Sequence, residues 1–301
     1  MSEDLSRYKA IYVSGSHLRK DVAARLAAWV EAGGTLYTSG WGLARDESDE
    51  PLSVLEPVLG LKTRTPPALW SQVPTYGAVS LGGLKSTGKP PAGAKVTAKA
   101  EVSGSFDLAV GRETLEPAEG TEVLAAYADG AAAMTRRRHG KGWAYVCGFY
   151  AGVEYSADIL KGGFDMSRDF RDDKRSFVAR PALAAGVKPV VDASQPLVEG
   201  VLLRHPDTGA MAAVLMNWAY AGKGLVSHSN VTVRIRAPAA ITTARSLALA
   251  QDLALTEAES GFVAVTLPVI NEGDILLLNA AAAPAIEARP EGRPRPAPKT
   301  R

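Results

Sequence analysis

Residues 8–42, YKAIYVSGSHLRKDVAARLAAWVEAGGTLYTSGWG, decide the fold of this chain. The β-rich run KAIYVSG precedes a segment whose apolar residues recur at helical spacing. Gly33 and Gly34 predict the end of this helix, and Ser16 is its expected N-cap. TLYTSG then predicts a second buried strand. Two strands joined by one helix form a right-handed crossover, so we predict that they lie parallel in one sheet.

The composition is that of a globular protein with enough chain for two domains. The 301 residues are 46% hydrophobic and 22% charged, with a formal net charge of +2. This charge gives no argument for nucleic acid or a membrane as a partner. A single cysteine excludes internal disulfides and multi-cysteine metal sites. Because the amino terminus, MSEDLSRYKA, lacks the apolar segment of a signal peptide, we expect a cytoplasmic protein.

A change of pattern near residue 187 predicts two domains. Residues 1–186 predict an α/β domain with a mostly parallel sheet, helices on both faces and a Pro/Gly-rich excursion at 62–95. Within it, a helix is expected over about residues 168–185. Short alternating runs predict an antiparallel β-sandwich over 187–280. The Pro/Arg-rich residues 281–301 are expected to be disordered.

Three segments carry a resemblance to a known family. They are the strand–helix–strand unit, the hairpin EVLAAYADGAAAMTRRRHGKGWAYVCG and the terminal sandwich. Together they resemble the class I glutamine-amidotransferase-like domain, also called the trimerisation domain, and the following β-domain of family-42 beta-galactosidases. The resemblance implies a flavodoxin- or amidotransferase-like fold.

Two departures from that family bear on function. No TIM barrel is present in the sequence, so the carboxylates that cleave glycosides have no counterpart. The first strand and helix of the amidotransferase-like domain are also expected to be missing. The resemblance therefore implies an uncovered sheet edge or helix-packing face, which favours a homo-oligomer or a partner chain.

Amidotransferase chemistry requires a cysteine in a G-x-C-x-G turn and a later His-x-Glu pair. The resemblance places Gly40 of TSGWG at the nucleophile position. The segment from Phe149 to Ala151 occupies the place of the His-x-Glu pair. We therefore predict that the chain lacks this activity.

A hydrolase site is the alternative. Ser14 and His17 follow the first strand, Ser39 ends the second, and Asp46 lies just beyond. All four fall at the carboxyl edge of the predicted sheet, where a serine, an imidazole and an acid could hydrolyse an ester or a glycoside. The competing interpretation makes the serines turn or cap residues and the acids solvated. We prefer it because no G-x-S-x-G elbow is present.

The remaining reactive residue types favour structural roles. Cys147 lies in the apolar strand WAYVCGF, which predicts a buried and inert thiol. The four histidines lack metal-ligand spacing, so no metal or cofactor is expected. The basic run RRRHGK is the solvated end of a hairpin in this interpretation, which gives no support for nucleic acid as a partner.

Ligand binding would use aromatic side chains, whose faces stack on sugars. Trp41, between Gly40 and Gly42 at the sheet edge, is the best candidate. Further candidates in predicted loops are Trp70, Tyr76, and Trp218 with Tyr220. Core packing explains Trp29 and Trp143 better, and it is also preferred to ligand binding for Trp218. The sequence thus predicts a non-catalytic accessory or assembly protein with a carbohydrate or small ester as its ligand. The alternative is the hydrolase described above.

Overall fold

The chain divides into two compact units in the computed structural model. The first comprises Met1–Lys188 with Tyr220–Gly224, and the second Pro189–Ala219 with Leu225–Arg301. The structure describes residues 4–71, 88–90, 94–161, 165–221, 224–237, 241–259 and 261–280. Most of the predicted excursion around Tyr76, and the predicted disordered tail at 281–301, lie outside the described residues.

Within Met1–Lys188, the described residues of the first unit form five α-helices and eleven strands. The helices are α1 (Lys20–Ala32), α2 (Glu56–Leu59), α3 (Ala151–Lys161), α4 (Met166–Asp169) and α5 (Asp172–Ala184). The strands are β1 (Ala10–Val13), β2 (Thr35–Ser39), β3 (Leu61–Arg64), β4 (Ala68–Leu69), β5 (Lys95–Ala98), β6 (Ser105–Asp107), β7 (Gly111–Arg112), β8 (Leu115–Pro117), β9 (Thr121–Tyr127), β10 (Ala132–His139) and β11 (Gly142–Cys147).

The predicted strand–helix–strand unit is confirmed. β1 pairs with β2 in parallel, with Ala10 opposite Thr35. Gly33 ends α1 at a φ of 129°, a conformation that glycine adopts without a steric cost. The predicted Ser16 cap is wrong, because α1 begins at Lys20 and its first N–H group donates to the Glu47 carboxylate at 2.9 Å.

The large sheet is mixed, with the order β1-β2-β11-β10-β9-β5-β6 and with β3 and β8 off this path. Among the described pairings, β1–β2 and β2–β11 are parallel and the others are antiparallel. The prediction of a mostly parallel sheet is therefore wrong. The turns between β9, β10 and β11 are short, and short connections join only antiparallel strands.

Helices cover both faces of this sheet, as predicted. Side chains alternate along β2, so Leu36 packs in one core with the buried side of α1 and with α2. Tyr37 packs in the other core with Cys147 and with Phe177 of α5. The predicted helix over 168–185 corresponds to α5, which ends at Ala184. Two covered faces explain why every residue of β2 is buried.

The second unit is built from strands. They are β12 (Val191–Ala193), β13 (Val198–Arg204), β14 (Met211–Asn217), β17 (His228–Arg236), β18 (Ile241–Ser246), β19 (Gln251–Leu253), β20 (Leu255–Glu259), β21 (Phe262–Ile270) and β22 (Gly273–Ala280). Two short strands, β15 (Tyr220–Ala221) and β16 (Gly224–Leu225), fall between β14 and β17 in the chain.

Two antiparallel sheets share the core of the second unit. Their orders are β12-β17-β21-β20 and β13-β14-β22-β18-β19. Val233 and Leu267 from the first sheet pack with Leu215 and Leu276 from the second. This arrangement is a β-sandwich, as the alternating pattern predicted.

Candidate functional site

The turn after β2 lies at the predicted carboxyl edge of the sheet. Gly40 and Trp41 have φ values of 56° and 69°, so two consecutive residues adopt the left-handed conformation. The Gly40 N–H donates to the Cys147 carbonyl of β11 at 3.1 Å. A Cβ atom at Gly40 would lie 2.4 Å from Cδ1 of Tyr150. The Tyr150 ring therefore occupies the space that a nucleophilic side chain at position 40 would need.

The ion pair between Arg64 and the buried Glu113 holds this turn in place. The Arg64 guanidinium donates to both carboxylate oxygens of Glu113, at 2.9 and 3.0 Å. Arg64 also donates to the Gly42 carbonyl at 2.9 Å, and Glu113 accepts the Trp41 N–H at 3.2 Å. Burial raises the pKa of Glu113, while Arg64 acts in the opposite direction. These hydrogen bonds connect the pair to the backbone of Trp41 and Gly42, so the pair holds the turn in place.

A pocket of about 300 Å³ opens beside Trp41. Its walls are largely apolar, with charged groups among them. The apolar contributors include Trp41, Leu43, Pro51, Leu59, Leu61 and Pro66, and the charged ones Arg45, Glu56, Lys62 and Arg64. The Arg64 guanidinium stacks 4.9 Å from the centre of the Trp41 ring. Gly40 and Gly42 shape the turn that presents Trp41 and do not line the pocket.

His17 makes its contacts in an exposed loop. Nδ1 of its ring lies 2.8 Å from Ser16 Oγ, and Nε2 lies 3.1 Å from Asp49 Oδ1. The side chains of His17 and Asp49 are 53% and 79% exposed. Water at such exposed groups weakens the electrostatic coupling on which a catalytic triad depends. The contacts of His17 are thus to Ser16 and Asp49, and not to Ser14, Ser39 or Asp46.

The other predicted hydrolase residues, Ser14, Ser39 and Asp46, differ in their exposure and in their contacts. Ser14 is exposed, whereas Ser39 is buried at the end of β2. Asp46 is fully buried and accepts the N–H groups of Ser48 and Glu50 at 2.7 and 3.0 Å. A hydrogen bond from Lys20 lowers the pKa of this carboxyl group. Asp46 organises its own loop and orients no imidazole.

Cys147 is fully buried in the core that contains Tyr37. Burial raises the pKa of its thiol far above the ordinary value, so the reactive thiolate does not form near neutral pH. The prediction of a buried cysteine is confirmed. Among the residues that the structure describes, no cluster of three His, Cys, Asp or Glu side chains could hold a metal ion.

Two tryptophans differ from expectation in their exposure. Trp70 lies in a bend after β4, as a loop residue would, but it is buried, and its indole donates to the Leu108 carbonyl at 3.2 Å. Trp218, expected in the core, is 45% exposed, with its indole 2.9 Å from the Glu199 carboxylate. Tyr220 is exposed, as a loop residue would be.

No helix in the described ranges has the length and apolar character needed to cross a membrane.

The sequence interpretation missed Arg64 and Glu113. They lie 49 positions apart, and each stands among polar neighbours in short runs that resemble surface strands. A buried charge leaves no periodic signal of its own. The pairing of β3 with β8, in which Arg64 lies opposite Leu115, brings Arg64 close to Glu113.

Comparison with known proteins points to one family. A family model described as the beta-galactosidase trimerisation domain matches residues 1–165. No curated protein matches the chain significantly.

Several solved structures share the fold. The GH42 beta-galactosidase Gan42B from G. stearothermophilus superposes with a TM-score of 0.57 at 16% identity, over 91% of this chain and 32% of that one. A beta-galactosidase from Bacillus circulans sp. alkalophilus gives 0.52 at 19% identity, over 92% and 34%. Alpha-L-fucosidase isoenzyme 2 from Paenibacillus thiaminolyticus gives 0.55 at 10% identity, over 93% and 42%. This chain thus spans about a third of the length of the beta-galactosidases that it resembles.

Proposed function

Because this chain belongs to the family of beta-galactosidase trimerisation domains, we propose that it is a non-catalytic assembly module of a glycoside hydrolase. Three copies associate through the α/β unit. The observation that carries this proposal is the edge of the large sheet. Within the described residues, β1 pairs on one side only, with β2. An open strand edge presents N–H and C=O groups to another chain.

The backbone of β1 shows which groups face outwards. The Lys9 carbonyl accepts from Thr35 of β2 at 3.0 Å, so the peptide groups of Lys9 face β2. Peptide groups alternate in direction along a strand. The N–H and C=O groups of Ala10 and Tyr12 therefore point away from β2. Tyr12 also exposes part of its ring at this edge, which adds apolar surface to the polar backbone.

Sedimentation equilibrium of the full chain tests this assembly. We expect a mass equal to three copies, or to a multiple of three. Ala10→Pro removes an outward N–H and leaves the hydrogen bonds to β2 in place, so it should abolish the threefold association. Ala10→Ser keeps the N–H and is the matched control. A wild-type chain with no threefold association at micromolar concentration contradicts the proposal.

The turn after β2 supports descent of the first unit from an amidotransferase-like scaffold. A nucleophile elbow places its reactive residue in a strained turn at the end of a strand. Gly40 has the matching position and a positive φ, but Tyr150 fills the adjacent space. We propose that this turn retains the shape of an elbow without its chemistry.

A small carbohydrate is the ligand we propose for the pocket beside Trp41. The indole offers an apolar face, and Arg45 and Lys62 can donate to hydroxyl groups. Saturation-transfer NMR with galactose as the probe should show transfer that is lost in Trp41→Ala. Trp218→Ala, which removes an indole from the second unit, should leave the transfer unchanged. Equal transfer in both variants rejects this site.

Hydrolysis by Ser14, Ser39, His17 and Asp46 is the competing proposal. The imidazole of His17 does contact a serine hydroxyl and a carboxylate, but they belong to Ser16 and Asp49 and not to the residues of this proposal. The burial of Ser39 and the loop contacts of Asp46 weigh against it. Turnover of an activated ester that disappears in His17→Ala would establish the hydrolase and contradict the proposal that the module is non-catalytic.

A further inference from the structure

The outer face of the five-stranded sheet in the second unit is apolar and exposed. One row consists of Val201, Val214 and Ile275 on three strands, continued by Leu247 directly after β18. The next row along the strands consists of Leu203, Ala212, Leu277 and Arg245. Val201 and Leu203 are 51% and 54% exposed. Met216 and Trp218 extend the surface beyond the first row. We call this surface the apolar sheet face.

The apolar sheet face is a large exposed apolar patch. Its large side chains are each about half exposed, which corresponds to roughly 600 Å² of apolar surface, at the upper end for a monomeric protein. Pairing two such faces would bury roughly 1,200 Å², the lower limit for a specific protein–protein interface. The apolar area of one face is therefore large enough to form a specific interface with the same face of a second copy.

Charges at opposite corners make the face complementary to itself. Glu199 lies in the row of Met216, at the edge strand β13. Arg245 lies three strands away, on β18, in the row of Leu277. The separation is about 14 Å across the strands and about 14 Å along them, given ordinary strand spacing and rise. The row of Val201 lies between the row of Glu199 and the row of Arg245.

This spacing selects one way of packing. A twofold axis through the middle of the face places Glu199 of each copy against Arg245 of the other. Since the two offsets are equal, the axis runs diagonally to the strands, and the strands of the two copies cross at about 90°. Orthogonal crossing is one of the two arrangements in which sheets pack face to face. We propose that the apolar sheet face binds the same face of a second copy of this chain.

The existing partners of both charged groups permit this contact. Glu199 accepts from the Trp218 indole through one oxygen, and a carboxylate can accept several hydrogen bonds. Arg245 donates to Asp252 through Nη1 and to the Ala250 carbonyl through Nη2. A guanidinium carries five N–H groups, so it can bind a second carboxylate without losing the first.

This association is independent of the threefold one, and sedimentation separates the two. The apolar sheet face contributes a factor of two to the number of copies, and the α/β unit a factor of three. Val201→Lys places two ammonium groups in the paired interface, so the dissociation constant of the pair should rise at least about 100-fold. Thr266→Lys adds the same charge to the outer face of the other sheet and should change nothing.

Charge reversal tests the proposed register. Glu199→Arg should weaken the pair, because it sets two guanidinium groups against each other. Adding Arg245→Glu to the same chain should restore pairing. A wild-type chain of three copies at micromolar concentration, with Val201→Lys and Thr266→Lys indistinguishable from it, overturns the inference and leaves the trimer proposal intact. A wild-type chain of one copy overturns both. Pairing that is lost in Val201→Lys but unaffected by Glu199→Arg overturns the register.

Discussion

The two large sheets of this chain differ in how their faces are covered. In the first unit, helices cover both faces, and β2 is buried along its whole length. In the second unit, one face of the five-stranded sheet packs in the sandwich and the other is exposed. Both sheets nevertheless carry apolar residues on both faces. A strand whose residues are apolar without alternation is expected to be buried on both faces of its sheet. In the second unit, the described residues bury only one face of the five-stranded sheet.

The largest loss of stability should come from truncating a side chain of α5, the helix that covers the Tyr37 face of the large sheet. Phe177→Ala on α5 deletes a fully buried ring that packs edge-on against Phe106 and Phe149. We expect the free energy of unfolding of the first unit to fall by about 4 kcal/mol. Chemical denaturation followed by circular dichroism measures this change. Leu183→Ala, on the exposed side of the same helix, is the control and should cost less than about 0.5 kcal/mol.

Neighbouring leucines on β22 compare the two faces of the exposed sheet directly. Leu276 is fully buried in the sandwich, whereas Leu277 is 39% exposed on the apolar sheet face. At low protein concentration, Leu276→Ala should lower the free energy of unfolding by about 3 kcal/mol and Leu277→Ala by less than about 1 kcal/mol. Raising the concentration should increase the cost of Leu277→Ala only. Equal costs at low concentration would show that the apolar sheet face is covered within one chain.

The turn after β2 should tolerate no added side chain. Gly40→Ala combines a positive φ with a Cβ 2.4 Å from the Tyr150 ring, so we expect a loss of about 2 kcal/mol in unfolding free energy. Gly15→Ala is a matched control, because a Cβ there meets no atom within 4 Å. Thermal unfolding of both variants gives the comparison. Similar melting temperatures would show that Tyr150 moves away at little cost.

The smallest effect should come from the exposed loop. His17→Ala removes contacts that are largely open to water, so the free energy of unfolding should change by less than about 0.5 kcal/mol. Hydrolysis of an activated ester should equal that of the wild-type chain. A loss above about 1 kcal/mol would mean that His17 and Asp49 hold the loop more firmly than exposed pairs do.

The sequence predicted those parts of the fold that depend on neighbouring residues. The β1–α1–β2 unit, the β10–β11 hairpin and the sandwich all follow from periodicity and turn residues. The order of the strands in the large sheet could not be predicted from periodicity and turn residues. The placement of β5 beside β9, for example, joins distant segments of chain whose own patterns do not specify a partner. The prediction of a mostly parallel sheet extended one local crossover to the whole domain.

The site was predicted less completely than the fold. Trp41 was identified because glycines flank it at a strand end, and it lines the pocket. Arg64 and Glu113 were missed because a buried ion pair between distant segments has no local signature. Asp46 was misjudged for the same reason, since an acid in a polar stretch is usually solvated. Its full burial depends on hydrogen bonds that the loop makes only when it is folded.

The contact between Gly40 and Tyr150 constrains how this protein could change over generations. A nucleophile introduced at position 40 alone would meet the tyrosine ring and destabilise the fold before any catalysis began. A smaller residue at position 150 would have to come first, with no catalytic benefit of its own. A side chain at position 40 is therefore tied to the size of the residue at position 150.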